Sequence, residues 1–286
     1  HWQSARAHER VTKGWGGYMA DLLGSTNTND KISMNVSLSG TNVFQNGVNT
    51  TPFSMNNSGP TLPINYYSEW GHNQDRRAAM DSILNYNFGD PFQNTYANVL
   101  HGSIEAGAEF KEALDEVPEF VTVFSEDRLS QELKIIAKTI AAREELGFER
   151  QIFFVRYGGW DHHDALITEQ AEKLSVVNNA LVEFKNALNE ISVFDDVTTF
   201  VGSEFARKLL SNGNGSDHGW GGNSIVMGGN VNGNQIYGTY PTLEIDGPDY
   251  LNGGIMVPTT SVDSMFAELA LWYGVEPGDL GTIFPN

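Results

Sequence analysis

Three potential ligands stand in a row at Asp161, His162 and His163, in a chain with only seven histidines. Asp161 and His163, two residues apart, can offer a carboxylate oxygen and an imidazole nitrogen to one divalent cation, with His162 directed elsewhere. The competing reading is a helix N-cap, in which Asp161 accepts free backbone N–H groups and the histidines decorate the first turn; Asp164 could cap equally well. Glu204 follows a second short apolar run. It is either a first-turn glutamate that suits the helix dipole or a ligand lying beside Asp161. Arg207, one turn further on, either pairs with Glu204 or holds an anionic substrate oxygen. Asp217-His218-Gly219 lies in the glycine-rich stretch 212–222. Glycines there let the backbone approach a site closely, and a flexible loop is a poor home for a buried structural histidine. His1, His8, His72 and His101 are weaker candidates. The spacing points to an Asp/His/Glu metal site without specifying a reaction. A Gly-x-Ser-x-Gly elbow, a phosphate-binding glycine loop before a helix and a His-Glu-x-x-His helix are all absent from the sequence.

These residues need elements to position them. Residues 1–23 read as a helix with Trp15, Tyr18, Met19, Leu22 and Leu23 at helical spacing, ended by Gly24. Ile32, Met34, Val36 and Leu38 alternate with polar residues, the pattern of a half-buried strand. With the Asn46-Gly47 turn and the polar stretch through Pro63, the segment at about 30–66 reads as a polar hairpin excursion over one face. A helical region spans 74–117, broken at Gly89-Asp90-Pro91 because the residue before proline resists the helix. Leu129, Leu133, Ile136 and Ile140 mark one face of a helix. Residues 151–157 form an apolar run bounded by glycine, the signature of a buried strand, and a long helix covers 165–191. Strands follow at 197–201, 223–227 and 235–237, then a helix from Ser261, its cap, to Tyr273, ended by Gly274. Helix and strand in alternation predict an α/β fold with a mainly parallel sheet and helices on both faces. Ligand residues collect beyond the carboxyl ends of such strands, here 158–163 and 203–204.

The composition narrows the partners. The 286 residues are 40% apolar and 19% charged, enough for a sizeable core and consistent with one domain over 1–286. Seventeen basic against 36 acidic residues give a net charge of −19. That excludes a broad nucleic-acid or anionic-membrane surface, which needs a basic footprint. There is no cysteine, so any metal must use His, Asp, Glu or carbonyl oxygen. No apolar stretch is long enough for a membrane span.

The segments GGWDHHDAL (158–166), SEFARKLLSNGNGSDHGWGGN (203–223), IYGTYP (236–241), VPTTSVDSMFAELALWYGV (257–275) and IFPN (283–286) resemble, in this order, the bacterial domain-of-unknown-function 1501 family. That family belongs to the alkaline phosphatase-like superfamily. The resemblance implies a three-layer α/β/α sandwich and export by the twin-arginine route to a periplasmic or extracellular address. It also implies metal ligands at Asp161, His163, Glu204, Asp217 and His218. His162 stands where the family usually has threonine, and Ala206 and Lys208 replace the glycine and threonine of its SEFGRT block. His1-Trp2 matches the end of a family Ser-His-Phe segment. The first strand, a metal-binding aspartate and the hydroxyl nucleophile are therefore expected upstream of this chain.

The leading expectation is an exported, metal-dependent hydrolase of small phosphate or sulfate esters. Zinc is the first choice of ion, with calcium, manganese or magnesium as alternatives, and Arg207 contacts the anionic group. An upstream segment or a partner chain is expected to cover the sheet edge. The alternative is a secreted binding or surface-assembly protein that keeps the fold and a structural ion.

Overall fold

A computed structural model describes residues 2–62 and 70–285. In chain order the main elements are α1 (Trp15–Leu23), β1 (Asn35–Ser37), β2 (Phe53–Asn56), β3 (Gly59–Pro60), α2 (Asn73–Leu84), α3 (Pro91–Asp115), α4 (Arg128–Ala141), β4 (Ile152–Phe154), α5 (Leu166–Glu190), β5 (Thr198–Val201), β6 (Ala206–Ser211), β7 (Ser216–Gly219), β8 (Ile225–Gly228) and α6 (Val262–Tyr273). The largest sheet has the order β3-β2-β1-β4. Its β2, β1 and β4 run parallel, and β3 adds an antiparallel edge. The fold is thus mixed α/β with a mostly parallel main sheet.

Local chemistry sets the helix boundaries. Asp90 accepts from the N–H groups of Phe92 and Gln93 with Pro91 at the first helical position, so α3 starts where the Gly-Asp-Pro break predicts. The predicted stripe on α4 is buried throughout: Leu129, Leu133, Ile136 and Ile140. Ser261 caps α6 through the Asp263 N–H, and Gly274 ends it at φ +109°.

Alternation on the sheet divides the core. Ile32, Met34, Val36 and Leu38 join residues of α3, α4 and α5 in one buried cluster, and Phe153, opposite Val36, packs against it. Ile152 and Phe154 lie opposite Asn35 and Ser37 and face a second cluster with Trp15, Phe44 and Phe266, from α1, the 39–50 loop and α6. Successive strand residues point to opposite faces, so helices cover the sheet on both sides.

Several expectations need correction. The strand at 32–38 is not half-buried, since Asn35 and Ser37 on its polar face are also wholly enclosed. Most of their polar groups are met inside: Asn35 Nδ2 donates to the Gln45 carbonyl at 2.8 Å, and Asn42 Nδ2 to Ser37 Oγ at 3.3 Å, while Asn35 Oδ1 has no partner among the described residues. The 30–66 segment is therefore no excursion, because it supplies the inner strand β1 and its neighbour β2; residues from Pro63 to 66 lie outside the described residues. The first helix begins at Trp15, not near residue 1. Gly14, Gly16 and Gly17 lower helix propensity, but an added Cβ on Gly14 or Gly17 would meet the backbone of Val43 or Asn46 within 2.2 Å. Residues 235–237 form no strand, and Ile236 and Tyr237 are exposed. Most consequentially, β5 does not extend the parallel sheet beside β4; it pairs antiparallel with β8. No helix among the described residues is long and apolar enough to cross a membrane.

Gln45 is fully buried and its Nε2 donates to Ile152 O at 2.8 Å and Val36 O at 3.0 Å, tying β4 to β1. Gln45→Leu keeps the volume and loses these bonds. It is expected to lower stability by about 1–3 kcal/mol, read from urea unfolding. Glu132 gives a pH-dependent counterpart. It is 5% exposed and its Oε2 has no partner among the described residues, and burial raises its carboxyl above the ordinary 4.5. The folded state therefore holds that proton more tightly than the unfolded chain. The resulting stability is complete below about pH 4.5 and is lost as pH rises through the raised value. Glu132→Gln should gain on the wild type as pH is raised from about 4.5 to 7, compared by urea midpoints; parallel profiles would contradict this.

Candidate metal centre

The loop after β4 carries Trp160 to Asp164 away from the sheet edge, and the β6–β7 hairpin lies against it. Its register places Arg207 directly opposite His218. Asn212 and Gly215 close the turn, with Asn212 N donating to Gly215 O at 3.1 Å and Gly215 N to Asn212 Oδ1 at 2.9 Å. The hairpin is clamped to the loop by backbone groups. Ser216 N donates to His162 O, Leu166 N to Asn214 O, and Asn212 Nδ2 to His163 O at 3.0 Å. Arg207 adds one more, to Trp160 O at 2.7 Å, and braces the hairpin itself by donating to Ser216 O at 2.6 Å. The approach leaves no space at Gly215, where an added Cβ would lie 2.3 Å from the His163 carbonyl carbon.

The clamp brings three ligand atoms together. His218 Nε2 is 2.8 Å and His163 Nε2 3.0 Å from Asp161 Oδ1, and the two Nε2 atoms are 3.2 Å apart. Ligands about 2.0–2.1 Å from a tetrahedral zinc stand about 3.3 Å from one another, so the triangle has the spacing that one ion requires. Asp161, His163 and His218 are the one group of this kind among the described residues, able to hold a metal ion. Their side chains are about half exposed, which leaves room for a further ligand on the solvent side.

The surroundings orient these atoms. His163 Nδ1 faces Asp217 Oδ1 at 3.4 Å, the carboxylate-on-imidazole arrangement that fixes which nitrogen meets a metal. His218 stacks on Phe205 with ring centroids 4.1 Å apart and 14° between planes. Asp161 Oδ1 also accepts from Arg207 Nη2 at 2.8 Å. Hydrogen bonds from His218 first, then Arg207, hold the Asp161 carboxyl below its ordinary value; Asp217 is lowered likewise, chiefly by Asn212.

The expected site residues therefore separate. Asp161, His163 and His218 converge. Asp217 stands behind His163 instead of joining the triangle. Glu204 lies outside the group and accepts from Gln3 Nε2 at 3.4 Å. Residues 206–211 form a strand and not the first turns of a helix, so Arg207 neither pairs with Glu204 nor points outward for a substrate: its side chain is 16% exposed and bound to Asp161. The N-cap reading of Asp161 fails as well, because Ala165 occupies that position with no side-chain cap. His162 is 7% exposed and turned away, as expected. The glycine-rich loop at 212–222 is in fact mostly hairpin. Gly215 makes the close approach expected of the glycines in that stretch, whereas Phe205 and Asn212 were missed in the sequence; the Asn212-Gly213 pair was the available signal for Asn212.

Gly215→Ala tests the clamp. The methyl group must push the hairpin off His163, and divalent-ion affinity is expected to fall about 10–100-fold with unchanged far-ultraviolet circular dichroism. Affinity equal to wild type would show that the hairpin's position does not set the triangle.

A family model described as a protein of unknown function (DUF1501) matches residues 71–250. No curated protein and no solved structure matches the chain. The matched span takes in the loop, the hairpin and all three triangle residues, and it is well over half of the sequence: the chain belongs to the DUF1501 family.

Proposed function

We propose that this protein is a metal-dependent hydrolase of small phosphate or sulfate esters, built on an alkaline phosphatase-like α/β/α sandwich and exported from the cell. The observation that carries the reading is the Asp161–His163–His218 triangle, open on one side and backed by Asp217. Two neutral imidazoles and one carboxylate suit zinc best. A zinc ion held there would lower the pKa of a bound water towards neutrality and offset charge on ester oxygens. The protein's own contribution is positional. Asp217 fixes the His163 ring, Phe205 the His218 ring, and Arg207 the Asp161 carboxylate.

A second reading, a binding protein without turnover, draws on Arg207. Its cation shares the Asp161 oxygen that a metal would use and offsets part of the charge that attracts one. The two readings separate experimentally. Purified protein is equilibrated with zinc, manganese, calcium or magnesium, analysed for bound metal, and assayed on aryl phosphates and aryl sulfates. The expected result is one tightly held ion and slow ester hydrolysis, both lost in His163→Ala and His218→Ala and both kept in Glu204→Gln. Metal binding with no turnover on either ester class supports the binding protein, and absence of metal binding removes the hydrolase.

A further inference from the structure

A second constellation lies where β1 and β4 end. Ser39, two residues past β1, joins Arg156, Tyr157 and Gly158, which follow β4, and Arg128, the first residue of α4. They line an open cleft of about 440 Å³. The carboxyl ends of parallel strands are where α/β sheets collect ligands, and the cleft sits there independently of the triangle.

Its lining is unusual for this chain. Acidic residues outnumber basic ones 36 to 17, yet the charged side chains lining the cleft among the described residues are two arginines. The Arg156 backbone N–H donates to Ser39 Oγ at 2.8 Å, which leaves the hydroxyl hydrogen of Ser39 available to a ligand. Arg128 uses one Nη2–H on the Arg156 carbonyl, and its Nε lies 3.7 Å from Glu132 Oε1, the nearest acid to it. The Arg156 guanidinium engages no acidic or carbonyl partner among the described residues. Five N–H donors in a planar fork are left to whatever enters the cleft. Beside this wall, Lys173 Nζ donates to Gly158 O at 3.1 Å and lies 4.9 Å from the Tyr157 ring centre, adding a third positive charge. Paired guanidinium forks with a hydroxyl donor match the several acceptor oxygens of a tetrahedral oxyanion.

We propose that the cleft between Ser39, Arg128 and Arg156 binds the oxyanion head of a small ligand, a phosphate or sulfate group. It supplies the anion contact that Arg207, committed to Asp161 and two carbonyls, does not. The proposal stands on the cleft alone and requires no metal.

The test uses the intact chain freed of metal with a chelator, in chloride buffer, titrated calorimetrically with inorganic phosphate and, separately, inorganic sulfate. Saturable binding is expected, weakened about tenfold or more in Arg156→Gln and only partly in Arg156→Lys. The Arg156 side chain is exposed and unpaired within the described residues, so these variants should keep the wild-type melting temperature. His163→Ala should bind phosphate like the wild type. Phenyl phosphate, run beside phosphate, separates the sources: tighter Arg156-dependent binding of the monoester assigns the cleft to an ester, and equal or weaker binding to the free anion. The proposal is overturned by no saturation at millimolar phosphate, by Arg156→Gln matching the wild type, or by loss of binding in His163→Ala. Because binding is measured on metal-free protein, anion binding there combined with no ester turnover in the metal-loaded protein removes the hydrolase and leaves the cleft.

Discussion

The parallel pairing of β1 with β4 is the constraint on which the rest of the molecule leans. Asn35, Val36 and Ser37 lie opposite Ile152, Phe153 and Phe154, and the buried Gln45 amide ties the two strands at one point. This pair carries both core clusters, one on each face. It also fixes where β4 ends, and so where the 155–163 segment leaves the sheet. Burying Asn35, Ser37 and Gln45 is costly unless their polar groups are met. Asn35 Nδ2 is met by the Gln45 carbonyl, Ser37 by Asn42 and the Gly40 carbonyl, and the Gln45 amide by Asn42 and two strand carbonyls, so the inner face is specified by hydrogen bonds as well as by apolar packing.

From that fixed exit the candidate centre is assembled by close backbone approach. A hairpin with glycine at its turn can press on the loop at a distance that a side chain would forbid, and the main-chain bonds that result hold His163 and His218 within 3.2 Å. The centre is therefore made by two segments some 50 residues apart in sequence, neither of which holds three ligands by itself.

Arg207 shows how the site is balanced. A carboxylate oxygen approached by two imidazoles and a guanidinium has its charge offset and its position fixed without an ion. A metal ion entering there would exchange hydrogen bonds for coordination and would not require the loop to fold around it. The same guanidinium weakens the local attraction for a cation, a cost in affinity set against a gain in preorganisation.

The α/β class, the limits of α3, α5 and α6, the apolar face of α4, and β4 as a short buried strand were legible in the sequence, because apolar periodicity, caps and glycine stops act within a few residues. The same local chemistry marked Asp161 and His163 as ligand types beyond a strand end and His218 as one in a glycine-rich stretch. What tertiary structure decided was every pairing. Isolated strands read alike whether they run beside β4 or turn back on β8, and Arg207 reads alike on a helix or on a strand. Glu204 and Asp217 carry the same carboxylate as Asp161, and only their distance from the imidazoles separates a ligand from a supporting residue or a bystander. Local sequence fixes backbone preference and donor chemistry, whereas a metal site is defined by distances of a few ångströms between segments, which only packing sets.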